Sequence, residues 1–544
     1  MRNKYVLGII SCIILFVSCQ KKIDFDKLKP IQYNGDWAAP LAYGDFSIED
    51  ILEGDSSSYF YYDQEGLIYL TYTSKLASLD LKDIIPNNKT NYSTTRDLTA
   101  GESTQLAGTN SLSVYFNEDI SIDDLNTNGV AFELDSIHIK SGVFEFDIKS
   151  RIDHKIEIEM DIPALMLNGV PYNRTVQVDE NSNNNIIIDV SGYSIDLTKN
   201  GTTHSSFEAS FKATITKGPS PNYAGGIDVD LEIKNGYAIK TAFGDAKRQD
   251  LLALNKTNLD IELFEIDEIG KTVFLEDALL KIKWVNSFGL PIDIVLNDVI
   301  GKNSNGQNFS LDVANIPSID LIITSPSVVG KETNGEIVIN NSKTQTGGGK
   351  LSLKDFINEN IVEMSIDAEA FSNPPGVTRP VFKNFINENS ALDLEIEAAL
   401  PLHGRATGYA FKDTFDMDLG DVESDEVEKA SIKIFSVNGF PIDFEGAVAF
   451  LDSNNNLLFT IDKRPDFFFR AAQVDASGKV IQPTENVIEL EIANQDLDKL
   501  GSVNKVSVIA NFSTTDKGTI PVKFHKDDML SVKIGARVKV NTEI

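Results

Sequence analysis

Cysteine is nearly absent from this chain: 544 residues include two, Cys12 and Cys19, both near its start. With Cys12 inside an N-terminal leader and Cys19 at its junction with the mature chain, no thiol remains in the folded part for a disulfide, a thiolate zinc site or a cysteine nucleophile. Histidine is scarce as well. His138, His154, His204, His403 and His525 stand apart, none within four residues of another, so the short spacings of a metal site are missing. Trp37 and Trp284 are the two tryptophans, few for a platform that stacks sugars. The chain has no Gly-x-Ser-x-Gly elbow, no phosphate-cradling glycine loop and no His-Glu-x-x-His. Together these absences disfavour an enzyme. Positive charge is also in deficit, with 49 basic against 81 acidic residues and a net charge of −32. Such a surface repels phosphate backbones, which excludes nucleic acid as a partner.

The one long apolar run opens the chain. Met1-Arg-Asn-Lys-Tyr is followed by apolar residues from Val6 to Val17 and then by Ser18-Cys19-Gln-Lys-Lys. A short cationic start, an apolar core too short to span a bilayer well and a small residue before cysteine describe a bacterial lipoprotein signal peptide. Cys19 then becomes the first mature residue, carrying a diacylglycerol on sulfur and an acyl chain such as palmitate on its amine. Several chains, at roughly 0.8 kcal/mol per buried methylene, anchor stably where one does not. Two other readings exist. An uncleaved membrane anchor conflicts with the short run and its Cys-Gln-Lys-Lys end, and cleavage before Cys12 would leave the greasy Ile13–Val17 at the new terminus. Removing residues 1–18 takes Arg2 and Lys4 and no acid, leaving 47 basic and 81 acidic residues. The covalent lipid on Cys19 is the only non-protein group expected with any force.

Along the mature chain, alternation of apolar and polar residues dominates and helical periodicity is rare. Lys155-Ile-Glu-Ile-Glu-Met-Asp-Ile places Ile156, Ile158, Met160 and Ile162 inward and Glu157, Glu159 and Asp161 in water. Tyr59 to Tyr72 reads as a hairpin turning at Asp63–Gly66. Short helices are expected at Ser47–Leu52, Ser352–Ile357 and Asn494–Leu500, each behind a capping residue. Residues 87–110 and 340–349, rich in Asn, Ser, Thr and Gly, read as long loops.

A weak internal repeat gives the best organisational clue. Leu280-Lys-Ile-Lys-Trp-Val-Asn-Ser-Phe-Gly-Leu-Pro-Ile-Asp and Ser431-Ile-Lys-Ile-Phe-Ser-Val-Asn-Gly-Phe-Pro-Ile-Asp share a strand, an Asn, an apolar turn and Pro-Ile-Asp before a second strand. Residues 144–160 resemble a degenerate third copy. Proline presets its backbone and donates nothing to a ladder, which suits a strand leaving a corner. The fold class predicted is all-β: tandem antiparallel β-sandwich-like domains with a few short helices. Read serially, residues 1–18 are the signal peptide, 19–36 a lipidated tether and 37–130 an N-terminal β region. Residues 131–255 and 256–345 are then β-sandwiches, and 350–544 a C-terminal β-sandwich region.

The lipobox with Gln-Lys-Lys, the opening Trp37-Ala-Ala-Pro-Leu, Phe450-Leu-Asp-Ser-Asn-Asn-Asn, Ala471–Val480 and Leu530-Ser-Val-Lys-Ile-Gly resemble large outer-membrane lipoproteins of the Bacteroidota. The Asn…Phe-Pro-Ile-Asp strand pairs are similar to water-stress β-sandwich domains. Neither resemblance supplies a catalytic residue.

Candidate sites are few. Asp452, Asn454 and Asn456 carry oxygens on alternate residues like half of a calcium loop, but the central glycine is missing and Lys463 stands where the closing carboxylate belongs. A solvated hairpin turn is the simpler reading, and it applies equally to Asp179–Asn185. Glu157 and Glu159 have glycosidase-like spacing on what alternation makes a water face, where charge is ordinary. Tyr59–Tyr62 and Phe467–Phe469 must show rings on both strand faces, one core and one a contact patch formed by Tyr59 and Tyr61 or Phe467 and Phe469. Function is expected to be non-enzymatic: an accessory or scaffold lipoprotein docking on an outer-membrane protein complex, with glycan or nutrient binding as the alternative. Outer-membrane location follows from Gln20-Lys21 after Cys19, with no Asp there for inner-membrane retention. Lys22-Ile23 before Asp24 leaves the periplasmic or extracellular face undecided.

Overall fold

Alternation in the sequence becomes ladder pairing in space. The computed structural model describes residues 32–47, 60–80, 91–122, 133–199, 201–261, 272–376, 384–416 and 427–543. Cys12, Cys19, Tyr59 and the Ser47–Leu52 helix beyond Ser47 lie outside the described residues, as does the side chain of Phe467. In the strand Lys155–Leu167, Ile156, Ile158, Met160 and Ile162 are wholly buried. Glu157 and Glu159 sit on its opposite face, answered by Gln177 at 2.6 Å and Lys212 at 3.4 Å. Strands Phe60–Tyr62 and Ile68–Asp80 form the predicted hairpin. Its turn is fixed by Asp63 Oδ1, which accepts from the amides of Glu65 and Leu67, and by Gly66 at φ 86°.

The chain is all-β, in antiparallel sheets with few short helices. Its strands assemble in a nested order. Gln32–Ser47 pairs along its length with the last strand, Met529–Glu543, from Gln32 opposite Glu543 to Ser47 opposite Met529. These two join Val427–Asn438 and Thr484–Glu491 in a four-stranded sheet. A second sheet, Tyr409–Asp416, Lys505–Thr514, Ile442–Leu451 and Leu457–Phe469, completes this terminal unit. Val427, Leu490, Phe450, Phe459 and Phe468 fill the space between, with Leu497 and Leu500 from the 3-10 helix Asn494–Ser502. Within the chain bracketed by this unit lies a middle unit of two sheets. One contains Ile68–Asp80, Ala391–Pro401, Leu279–Asn286 and Thr333–Asn340; the other is built on Ile361–Ser372 and Ile292–Asn303. Inside that again, residues 91–245 form most of a ten-stranded sheet whose buried side chains, Phe144, Phe146, Ile156 and Phe211 among them, share one apolar cluster with the middle unit. Each such fully buried side chain contributes roughly 1.5–3 kcal/mol relative to exposure.

The serial division at 130, 255 and 345–350 therefore differs from the pairing. Strands from 37–130 are shared among three sheets, and the region after 350 contributes to the middle and terminal units alike. Alternation reports which face of a strand is buried; it carries no label for the neighbouring strand. A second difference concerns residues 87–110, read as a loop. They hold the strand Asn91–Asp97 and a helix, Ala100–Gly108, started by a capping box in which Thr99 and Glu102 bond reciprocally. The helix Leu353–Ile357 begins as expected, with Ser352 Oγ accepting from the Asp355 amide.

The repeat is a structural unit as well as a sequence one. Asn286 and Asn438 are buried at the ends of equivalent strands, and each side-chain oxygen accepts from the amide two residues on, at Phe288 and Phe440. Phe440 sits in a small apolar joint with Ile68, Phe60, Tyr62, Leu402 and Phe524, where the middle and terminal units meet.

Candidate functional site

The two aromatic runs divide by strand parity. Phe60 and Tyr62 point into the joint between units. Tyr61 lies on the opposite face, stacked on Tyr69 with centroids 4.9 Å apart. The Lys281 ammonium lies 5.1 Å from its ring centroid and donates to its hydroxyl at 3.1 Å. Tyr61 is thereby held in a cluster with Tyr69 and Lys281. Beneath it, Glu397 is 3% exposed and bridges two lysines, Lys281 at 3.4 Å and Lys283 by a short bond. Cross-strand register makes this arrangement, since Lys281 is directly opposite Glu397 and Lys283 opposite Glu395. Burial opposes the Lys281 charge, but Tyr61, Glu336 and Glu397 outweigh it and hold the ammonium above the ordinary lysine range. Burial also raises the Tyr69 hydroxyl.

In the other run, Phe468 is buried in the terminal core, and Phe469 packs 5.2 Å from Phe444 beside it. Phe469 is thus held by the core edge.

Asp452, Asn454 and Asn456 do come together, as a closed turn. Asp452 Oδ1 accepts from the amides of Asn454 and Asn456, both at 2.8 Å, and Oδ2 from the Asn456 side chain at 2.9 Å. Asn455 takes φ 63° at the tip and accepts from Lys505 at 2.7 Å. Both carboxylate oxygens face donors, and a cation is already parked at the tip. The Asn456 side chain and the turn amides hold the Asp452 carboxyl below the usual carboxylate range. Among the described residues, no group of three or more His, Cys, Asp or Glu side chains is placed to hold a metal.

The histidines serve local structure. His204 Nδ1 meets Asp135 at 2.6 Å and His403 Nδ1 meets Asp277 at 2.9 Å. His154 is fully buried, with Nδ1 accepting from the Gly218 amide. His525 is pushed below the ordinary histidine range by burial, and its backbone amide donates to Asp528 at 2.8 Å.

The surface that sequence reading missed is the outer face of the four-stranded terminal sheet. Register lines up Tyr43, Lys533, Phe435 and Val487 in one row across all four strands. Tyr43 is 79% exposed, Val487 55% and Phe435 45%, and Val437 and Met529 adjoin them. Lys433 reaches over the Phe435 ring at 5.1 Å. Toward the other end of the face, Arg537 grips Asp36 through two bonds of 3.0 and 2.7 Å, which lowers the Asp36 carboxyl. A signal was present: Ile434-Phe435 and Val437 break the period of two in an otherwise alternating strand, so one of its faces had to carry apolar side chains outward.

Among the described residues, no helix is long and apolar enough to cross a membrane, a fact that says nothing of crossing by strands. No protein-family model and no curated protein matches the chain. Among solved structures, a Parabacteroides distasonis protein whose name calls it secreted aligns over 67% of this chain and 99% of its own, at 11% identity and TM-score 0.19. The triple jelly roll of an archaeal virus turret aligns over 82% and 96%, at 10% identity and TM-score 0.10. The tandem CBM22 domains of Xyn10C from Paenibacillus barcinonensis align over 60% and 98%, at 10% identity and TM-score 0.13. Scores this low carry no argument about function, and the all-β assignment rests on the strand pairing itself.

Proposed function

We propose that this chain is a non-enzymatic outer-membrane lipoprotein, anchored through Cys19, that serves as an accessory or scaffold subunit on an outer-membrane protein complex. The observation carrying the proposal is the exposed apolar row on the terminal sheet, whose first member, Tyr43, lies on the strand that follows the tether. Residues 20–31 separate Cys19 from the strand Gln32–Ser47. A fully extended link of that length reaches roughly 40–45 Å. The terminal unit is thereby confined near the bilayer, while the edge strands of the bracketed sheets offer sites for docking by strand addition. Engagement of the described histidines in local packing supports a non-catalytic role.

Extraction in mild detergent and purification through an affinity tag tests the reading. A stoichiometric membrane-protein partner is the expected result. Recovery as a lone monomer that binds a polysaccharide would replace it with the glycan-binding alternative, which the exposure of Trp37 and Tyr43 keeps in view. Mass spectrometry of the mature N-terminus checks the lipid, and protease shaving of intact cells decides the face of the membrane.

A further inference from the structure

We infer that Arg405 is the centre of a binding site for a small polycarboxylate, on the three-stranded sheet beside the joint between the middle and terminal units. The inference is independent of the scaffold reading, which assigns no small ligand. The sheet consists of Thr272–Leu275, His403–Thr407 and Val522–Lys523. Register sets Phe274 opposite Arg405 and His403 opposite Lys523, so these four side chains share one face. Leu275, Gly404 and Val522 on the other face are buried, whereas the four are half-buried.

Arg405 has no anion. Its guanidinium lies over the Phe274 ring, with Cζ 4.6 Å from the centroid, and its buried Nε has no hydrogen-bond partner. Among the described residues it donates no hydrogen bond and forms no ion pair. By contrast, Arg96, Arg151, Arg248 and Arg537 each hold a carboxylate. Lys523, diagonally across the ladder from Arg405, likewise makes no side-chain hydrogen bond or ion pair among the described residues. The acids nearby are committed elsewhere: Glu276 to Lys354, Asp277 to His403 at 2.9 Å, and Asp475 to the amides of Ser477 and Lys479. Two unanswered cations on one face stand out in a chain with 81 acidic residues. A buried donor left without an acceptor costs stability unless something else supplies that acceptor.

The geometry selects the ligand. Stacking on Phe274 fixes the guanidinium plane and leaves its edge donors to meet a planar carboxylate through two bonds. Diagonal neighbours on a ladder lie about 7–8 Å apart, so Lys523 reaches a second carboxylate on the same short chain rather than the same group. A lone phosphate would need both cations to converge on it, which this spacing opposes. At the Thr407 end the face is closed by the left-handed turn Asp516–Gly518, where a Cβ on Gly518 would come 1.9 Å from the threonine methyl.

The test follows melting of the detergent-extracted full chain in succinate, acetate, phosphate and chloride at equal ionic strength. Succinate is expected to raise the melting temperature by a few degrees, saturably and several-fold more than acetate, with phosphate matching chloride. Arg405→Met keeps an apolar stem over Phe274 and is expected to melt no lower than the parent in chloride while losing the succinate response. Lys523→Met is expected to reduce that response to the level of acetate. A succinate response no larger than that of chloride overturns the site, and so does one retained in Arg405→Met. A fall of several degrees for Arg405→Met in chloride overturns it too, because the arginine then serves the fold. A phosphate response exceeding that of succinate overturns the choice of ligand.

Discussion

Asn286 and Asn438 hold the same corner in two different units with the same hydrogen bonds. Asn286 donates to the carbonyls of Leu290, at 3.3 Å, and Thr324, at 3.0 Å; Asn438 donates to those of Ile442, at 3.0 Å, and Arg470, at 2.8 Å. Both oxygens accept an amide at 2.9 Å from a buried phenylalanine two residues on. In the degenerate copy, Ser150 replaces the asparagine, and its hydroxyl accepts from the amide of buried Ile152 at 3.1 Å. One side chain thus satisfies a turn that proline leaves short of donors. Asn438→Ala orphans a buried amide and two carbonyls, with an expected loss of about 2–4 kcal/mol by urea unfolding. Asn438→Asp keeps the acceptor but loses both donated bonds, so it is not expected to rescue. A loss under about 0.5 kcal/mol would remove the corner from the list of stabilising features.

Glu397 makes a second, different demand. It sits nearly sealed between Lys281 and Lys283, and Lys281 has only 12% of its side chain exposed. Glu397→Ala removes the nearest carboxylate from Lys281 and the short partner of Lys283, leaving Lys281 with Glu336, an expected cost of about 3 kcal/mol. Replacing the whole group, as Lys281→Met/Lys283→Met/Glu397→Leu, is expected to recover most of that loss. If the single and triple variants unfold alike, packing rather than charge pairing controls the cluster.

For the Asp452 turn, the prediction concerns calcium. Its carboxylate is committed to Asn454 and Asn456, so millimolar calcium or a chelator is expected to leave the melting temperature unchanged. Because the folded carboxyl is held below its usual range, its contribution is present above that range and fades as pH falls through it. Asp452→Ala should therefore destabilise near neutral pH and become neutral in strong acid. A calcium-dependent rise in melting temperature, lost in Asp452→Ala, would restore the ion-site reading.

Local features were legible because they depend on neighbours in sequence. Ile156 to Ile162, the Asp63–Gly66 turn, the Ser352 cap and the repeated Asn–Pro-Ile-Asp corner all follow from residues within one or two turns of chain. Nesting was illegible, since nothing in Gln32–Ser47 states that its partner is Met529–Glu543. The helix Ala100–Gly108 was hidden by its Gly, Ser and Thr content, although Thr99 and Glu102 already had capping-box spacing. The role of Tyr61 was missed for a similar reason: parity placed it opposite Phe60 and Tyr62, but only tertiary contact brings Lys281 over its ring. The exposed row through Tyr43 and Phe435 needs residues from four strands and so appears only in the assembled sheet.

Asp528 supplies a pH-dependent prediction. Burial, and secondarily the neighbouring Asp527, push its carboxyl up to about 6 from an ordinary 3.8, even though it accepts the His525 amide at 2.8 Å. A carboxyl raised in the fold binds its proton more tightly there than in the unfolded chain. The stability this contributes is complete below about pH 4 and is lost as pH rises through about 6. His525 works in the opposite sense, because burial lowers it and its protonation below the ordinary 6.5 disfavours the fold. Asp528→Asn isolates the first effect: the amide oxygen still accepts from His525 but never ionises. The variant is expected to melt roughly 2–4 °C above the parent near pH 7.5 and to match it near pH 4. An equal shift at both pH values would show that the substitution acts through packing and that Asp528 does not titrate in this range.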